Sequence, residues 1–464
     1  MPPANAAWPR QALHGLPFLL PPLALILVIW LQPEDHMGPY PDRAPWLRRA
    51  AYDDWDWSAM VLRGLNASLG RTAGLAEEPH PSPDEFAAAL KGPGRPLAER
   101  YYLEYPQTAT WLFRLPFLLH PLRPPAALCD AHYGNVLSHQ PRDDGERDLW
   151  RALRRAVQTG MAVMVICLLL LMAVLRWGYE PGGGLSGPAW LLVLPGALYF
   201  TLNRFDVLPA LLTALSLACL GRRWVIPSAA FLVAGMMVKV YPVLLAPLIV
   251  RYLWADRRAT LAWVAAYGAT TVALLLPTLL TADWQAVVTP VRVQLSREPM
   301  GPTIYVNMPK ALAANGWIGR GFRFGILALV ALALCRNRPP DLASVLRRGT
   351  VAVIVFTALS VFYSPQWVLW FSPLLVPLAR RSRLLTVLVA SLDLVTYLLF
   401  AVFMEYGYSQ GPAAVDLPVP LGRPGALVEL VLANARWPIL GAIVAQLLWA
   451  EVRRVRKVRV AAVT

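Results

Sequence analysis

Hydrophobic residues fill 57% of the 464 positions and charged residues only 15%, which excludes a water-soluble globular domain because no folded surface could hide so many apolar runs. The formal net charge of +15 does not signal nucleic-acid binding either. The arginines fall in short clusters between apolar runs, at Arg151/Arg154/Arg155, Arg222/Arg223, Arg257/Arg258, Arg336/Arg338, Arg347/Arg348, Arg380/Arg381/Arg383 and from Arg453 to Arg459, the pattern that keeps basic loops on the cytoplasmic side of a membrane.

The first apolar run, residues 15–32, follows only Arg10 and His14 and lacks the small-residue cleavage site of a signal peptide. It reads as a retained first helix with its N-terminus inside. The stretch 33–105 is too polar to span and reads as a long first extracytoplasmic loop. Within it Trp57, Met60, Val61, Leu65 and Leu69 recur at helical spacing, and residues 85–90 suggest another short helix, both amphipathic elements on the membrane surface. Further apolar segments follow near 106–123, 158–178, 188–202, 207–220, 225–238, 241–254, 260–281, 321–335, 349–363, 367–380, 384–404 and 437–450. The N-terminus and the basic tail both belong inside, so the crossings are even in number: one of the thirteen candidates fails to cross and about 12 transmembrane helices remain. The short pair 188–202 and 207–220, separated only by Asn203-Arg204-Phe205-Asp206, is where that failure is expected. Interrupted helices at membrane depth are tolerated where they line a cavity, and the 43 prolines suit such breaks. The chain, 1–464, therefore reads as a single all-α polytopic membrane domain, with the loops 33–105, 282–320 and 405–436 on the outer side.

Carboxylates at the outer surface are the first candidates for chemistry. Asp53, Asp54 and Asp56, bracketed by Tyr52, Trp55 and Trp57, suit a general base that meets a lipid-borne hydroxyl in a lateral cavity open to the bilayer. The plain alternative is a solvated turn in which Asp56 caps the following helix. In Asn203-Arg204-Phe205-Asp206 the two charges are costly between apolar segments unless they face a cavity or neutralise one another. Lys239, alone among the four lysines, sits within apolar sequence; it needs a counter-charge such as a phosphate, or it snorkels to the interface. Leu103-Glu104-Tyr105-Pro106 and Tyr363-Ser364-Pro365-Gln366-Trp367 either line a pocket or are interface turns. Asp393 is an intramembrane carboxylate with a functional or a structural role. Cys129, Cys167, Cys219 and Cys335 have no metal spacing and read as buried thiols, and all six histidines precede residue 140 without ligand spacing, so no metal site is expected.

Taken in order, five elements resemble the GT-C superfamily of membrane glycosyltransferases, and most closely glycosyltransferase family 87, the polyprenol-phosphate-sugar-dependent mannosyl- and arabinofuranosyl-type transferases. They are an acidic residue after the first helix, within Asp53-Asp54-Trp55-Asp56; a Tyr-Pro at Tyr105-Pro106; the polar turn Asn203-Arg204-Phe205-Asp206; a Lys-x-x-Pro at Lys239-Val240-Tyr241-Pro242; and a Ser-Pro-aromatic turn at Ser364-Pro365-Gln366-Trp367. The resemblance covers roughly residues 15–380, with 15–281 as the GT-C-like module and 282–464 as C-terminal helices. It implies an inverting transfer from a polyprenyl-phosphate-linked sugar to a lipid or glycan acceptor. Asp56, or else Asp54 or Asp53, acts as base, and Lys239 and Arg204 hold the donor phosphate. Asn203, Asp206, Tyr241, Glu104, Tyr105 and Gln366 line the substrate site. No cofactor or metal is implied, and the setting is the inner (plasma) membrane with the site on its extracytoplasmic face. The chain departs from the family in offering three aspartates where one is needed, and in having no histidine after His139, where some relatives use one in a later outer loop. The rival is a secondary transporter or lipid flippase, which also carries midplane charges and broken helices. The lack of an internal repeat and the long carboxylate-bearing loop favour the enzyme.

Overall fold

The computed structural model describes residues 144–280, 317–361, 363–399 and 426–461, with Val291 and Thr303. The first helix, the loop carrying Asp53, Asp54 and Asp56, and the segment with Glu104 and Tyr105 lie outside the described residues. Among the described residues the chain is helical without a strand. The helices are α1 (Asp144–Trp177), α2 (Pro195–Asn203), α3 (Val207–Gly221), α4 (Val225–Val238), α5 (Ala246–Leu253), α6 (Arg257–Leu280), α7 (Trp317–Cys335), α8 (Leu342–Ala358), α9 (Val368–Ala379), α10 (Arg383–Tyr397) and α11 (Ala426–Ala461), with short 3-10 turns at Ala189–Val193, Tyr241–Leu245 and Pro365–Trp367.

Each apolar segment expected from residue 158 onward contains a helix among the described residues, but several helices begin earlier than hydropathy marks. The first of them starts at Asp144, α8 at Leu342 and α11 at Ala426. Hydropathy registers only the stretch at lipid depth, whereas a helix continues through its polar turns for as long as its backbone bonds are satisfied.

Four helical stretches are long and apolar enough to cross a bilayer: Gln158–Trp177, Arg257–Leu276, Trp317–Cys335 and Val431–Arg454, of 19 to 24 residues. At about 1.5 Å per residue such stretches match a hydrocarbon core of about 30 Å. Those on α6 and α7 have only 11% of their residues buried, and Leu280 is 75% and Leu332 70% exposed. Rows of bare leucine on long helices are stable only against lipid. The described residues therefore form a helical membrane protein.

The shorter helices make the interior. Along α3, which packs on α1, α4 and α9, Val207, Ala210, Ala214, Leu217 and Leu220 are buried; α9 in turn contacts α8 and α10, and α10 leans on α11. Between α3 and α4, Ser216 Oγ donates to the Ser228 carbonyl at 2.7 Å, the kind of small polar contact that joins helices where lipid gives no hydrophobic push. Cys167 and Cys219 are buried free thiols, in line with expectation, whereas Cys335, at the end of its helix, is only half-buried.

As expected, the apolar pair at 188–220 is interrupted: α2 and α3 meet at a bend of 110°. What holds the short α2 in place is Asp393. Its Oδ1 accepts from Gly196 N at 2.8 Å and its Oδ2 from Ala197 N at 2.7 Å, so a carboxylate from α10 satisfies two orphan donors at the start of α2. A Cβ on Gly196 would lie 2.8 Å from the Asp393 carbonyl oxygen, so only glycine allows the approach. The role of Asp393 is structural. Asp393→Asn should lower stability by about 1–3 kcal/mol, because an amide presents one acceptor and turns an NH2 toward the second N–H. A thermal melt in detergent reads this, and an unchanged midpoint would remove the cap.

Arg222, Arg223, Arg251 and Arg338 gather at one end. Arg222 donates from Nη1 to the Tyr179 carbonyl at 2.9 Å and from Nη2 to Gly178 O at 3.0 Å. Arg223 lies over the Tyr252 ring, and Arg338 Nε donates to Tyr252 O at 3.2 Å. Arg251 Nε reaches Cys335 O at 3.2 Å. The sequence pattern places Arg347 and Arg348 between apolar runs, but they lie inside α8, buried, each 2.8 Å from a different oxygen of Glu451. These two bind α8 to α11 and are not loop charges.

Candidate functional site

At the opposite end, two chain breaks meet. Pro242 has no backbone N–H to continue a helix, and α4 stops at Val238 with Lys239 extended beyond it. The other break is between α2 and α3, where Arg204 is extended and Asp206 precedes the first residue of α3 without a side-chain bond to the helix. Asp206 is free to turn inward, and it does.

Lys239 Nζ lies 3.5 Å from Asp206 Oδ1, with Asp206 wholly buried and the lysine side chain 11% exposed. The ammonium also sits 4.5 Å from the centroid of the Phe205 ring, an additional attraction for a desolvated cation. Trp370 Nε1, from α9, donates to the same Oδ1 at 2.6 Å. The second carboxylate oxygen, Oδ2, is buried with no hydrogen-bond partner among the described residues. Tyr241 stacks on Trp370 with centroids 4.5 Å apart and rings 13° from parallel, and its hydroxyl lies 3.1 Å from Thr213 Oγ1. Its hydroxyl committed, Tyr241 backs the cluster as a wall. Trp367, from the turn before α9, lies 5.0 Å from Trp370 between ring centroids. Gln366 on that turn is buried, and its Oε1 has no hydrogen-bond partner among the described residues.

The structure thus brings together the polar turn, the Lys-x-x-Pro and the Ser-Pro-Gln-Trp turn. Among the described residues the counter-charge of Lys239 is Asp206, so the aspartate pairs across two helix breaks and not with its neighbour Arg204, which is half-buried at the α2–α3 junction. Sequence reading does not supply Phe205 and Trp370. Trp370 has a faint signal, three residues after Trp367 and on the same helical face, but its tie to Asp206 comes from tertiary packing alone. Arg436, which the sequence reading puts at the end of the loop 405–436, lies within α11 and is fully buried.

A buried ion pair at a broken helix, walled by aromatic rings and holding a carboxylate oxygen with spare acceptor capacity, is the polar cluster that the three segments share. No protein family, curated protein or solved structure matches the chain.

Proposed function

We propose that this protein is an inverting membrane glycosyltransferase that moves a sugar, mannose or another hexose or pentose, from a polyprenyl-phosphate donor to a lipid or glycan acceptor. The observation that carries the reading is the convergence of three segments singled out by their resemblance to family 87 on one buried cluster, where Lys239 and Asp206 lie 3.5 Å apart. A sugar is a dense array of hydroxyl donors, and Asp206 Oδ2 is a buried acceptor suited to one of them. Lys239 and Arg204 supply the positive field that a departing lipid phosphate needs, which makes a metal dispensable. A first-loop aspartate, Asp56 or its neighbours Asp54 and Asp53, removes the acceptor proton, and the resemblance assigns Glu104, Tyr105 and Gln366 to the substrate site. The cluster lies at the end of α3 and α4 away from Arg222 and Arg223, so the positive-inside rule supports an extracytoplasmic site in an inner membrane crossed about 12 times.

Purified protein in lipid nanodiscs, given polyprenyl-phosphate-linked radiolabelled mannose or arabinofuranose and a membrane glycolipid extract, should produce a labelled acceptor with inverted anomeric configuration. The rival carrier draws on the same buried pair and broken helices. In sealed vesicles a carrier moves labelled lipid between leaflets with no new glycosidic bond, and that result would end the transferase reading.

A further inference from the structure

Arg436, on α11 beside Pro438, has no exposed surface. Its Nε, Nη1 and Nη2 have no hydrogen-bond partner among the described residues. Its Cζ lies 3.9 Å from the centroid of the Tyr363 ring and 4.6 Å from that of Trp437. Ring faces attract the cation, but guanidinium N–H bonds lie in the plane of the group and point past a ring that covers its face. Stacking therefore addresses the charge and leaves the donors unanswered.

The three buried carboxylates among the described residues are already engaged. Asp206 holds Lys239 and Trp370, Asp393 holds Gly196 and Ala197, and Glu451 holds Arg347 and Arg348 at the far end of α11. A group that meets several in-plane N–H donors and neutralises the cation is an oxyanion of forked shape. Arg436 lies near the start of Val431–Arg454, a stretch long and apolar enough to cross a bilayer, and the abundant oxyanion at a membrane is the phosphate ester of a lipid. We propose that Arg436, between Tyr363 and Trp437, is a binding site for a phosphate-ester anion. Tyr363 lies 5.4 Å from Trp367, and Trp367 5.0 Å from Trp370, so a row of rings joins this anion site to the Asp206–Lys239 cluster. The site stands on the burial and donors of Arg436; only the identification of the lipid as a polyprenyl phosphate rests on the transferase reading.

The test measures binding of farnesyl phosphate, farnesol and inorganic phosphate to the full chain in nanodiscs, for wild type, Arg436→Met and Arg436→Lys. Farnesyl phosphate should bind wild type and raise its Tm, and Arg436→Met should bind it about thirtyfold more weakly or worse, the measure of losing charge-assisted hydrogen bonds. Farnesol should bind the three proteins alike. Without ligand, Arg436→Met should melt no lower than wild type, because it removes a buried charge and keeps an apolar stem. Arg436→Lys keeps the charge but not the fork; it should fold and bind farnesyl phosphate less well than wild type, and it carries the test if the methionine variant does not fold. Competition by inorganic phosphate would assign the site to free phosphate, and binding of the lipid alone assigns it to the ester. Equal farnesyl phosphate affinity in wild type and in the folded variants overturns the proposal and leaves Arg436 as a stacking strut. Binding is read without turnover, so failure to find sugar transfer leaves this result standing.

Discussion

Lys239→Met should destabilise the protein by about 3–5 kcal/mol, the cost of leaving one member of a buried ion pair without its partner. The orphan is Asp206, which has no exposed surface and among the described residues keeps only the Trp370 N–H at 2.6 Å for its side chain. Removing the second charge as well should restore much of the loss: in Asp206→Asn/Lys239→Met the amide oxygen can still accept from Trp370 and no buried charge remains. Thermal or denaturant melts of the two single variants and the double variant in detergent close the cycle. Sugar transfer should be lost in Lys239→Met and stay lost in the double variant, because stability returns but the positive field does not. That split separates holding the fold from serving a phosphate. Were Lys239→Met to melt like wild type and lose only donor binding, the ammonium would answer to substrate phosphate and the 3.5 Å contact with Asp206 would carry little energy.

The fold was more legible in the sequence than the site. Apolar runs from residue 158 onward announced helices because in lipid each backbone N–H must bond within its own segment, so a long apolar run has few other structures open to it. The break at 203–206 was legible too, since an arginine and an aspartate between apolar runs force an interruption. Helix starts were missed by seven to fourteen residues at α1, α8 and α11, where polar first turns carry no hydropathy signal.

Pairings were not legible. Sequence reasoning flagged Lys239 and Asp206 separately, because a buried charge is costly wherever it sits, but their partnership depends on how α3 and α4 cross. Two kinds of charge were misplaced or left open for the same reason. Arg347 and Arg348 looked like loop arginines, yet they are buried against Glu451, which lies more than a hundred residues away. Asp393 looked equally suited to function and to structure, and only its two bonds to the start of α2 decide for structure. Composition and spacing mark where a charge needs an answer; tertiary packing supplies it.

The remaining large effect concerns the first-loop carboxylates. Converting the true base among Asp56, Asp54 and Asp53 to asparagine should reduce sugar transfer by about a hundredfold to ten-thousandfold, the usual contribution of a positioned general base. Asparagine is nearly isosteric but cannot take the acceptor's proton, so polyprenyl-phosphate donor binding should persist while kcat falls. Asp56 is the first choice because it directly precedes the amphipathic stretch beginning at Trp57, which would fix its position. A neighbour that only caps that helix should keep most of its turnover as asparagine, since an asparagine side chain caps about as well as aspartate. Donor binding measured beside turnover for each single variant, and for the triple variant, separates the base from the cap. Full activity in the triple variant would take the carboxylate out of the mechanism and shift the balance toward the carrier, because the buried Lys239–Asp206 pair alone is common ground between the two readings.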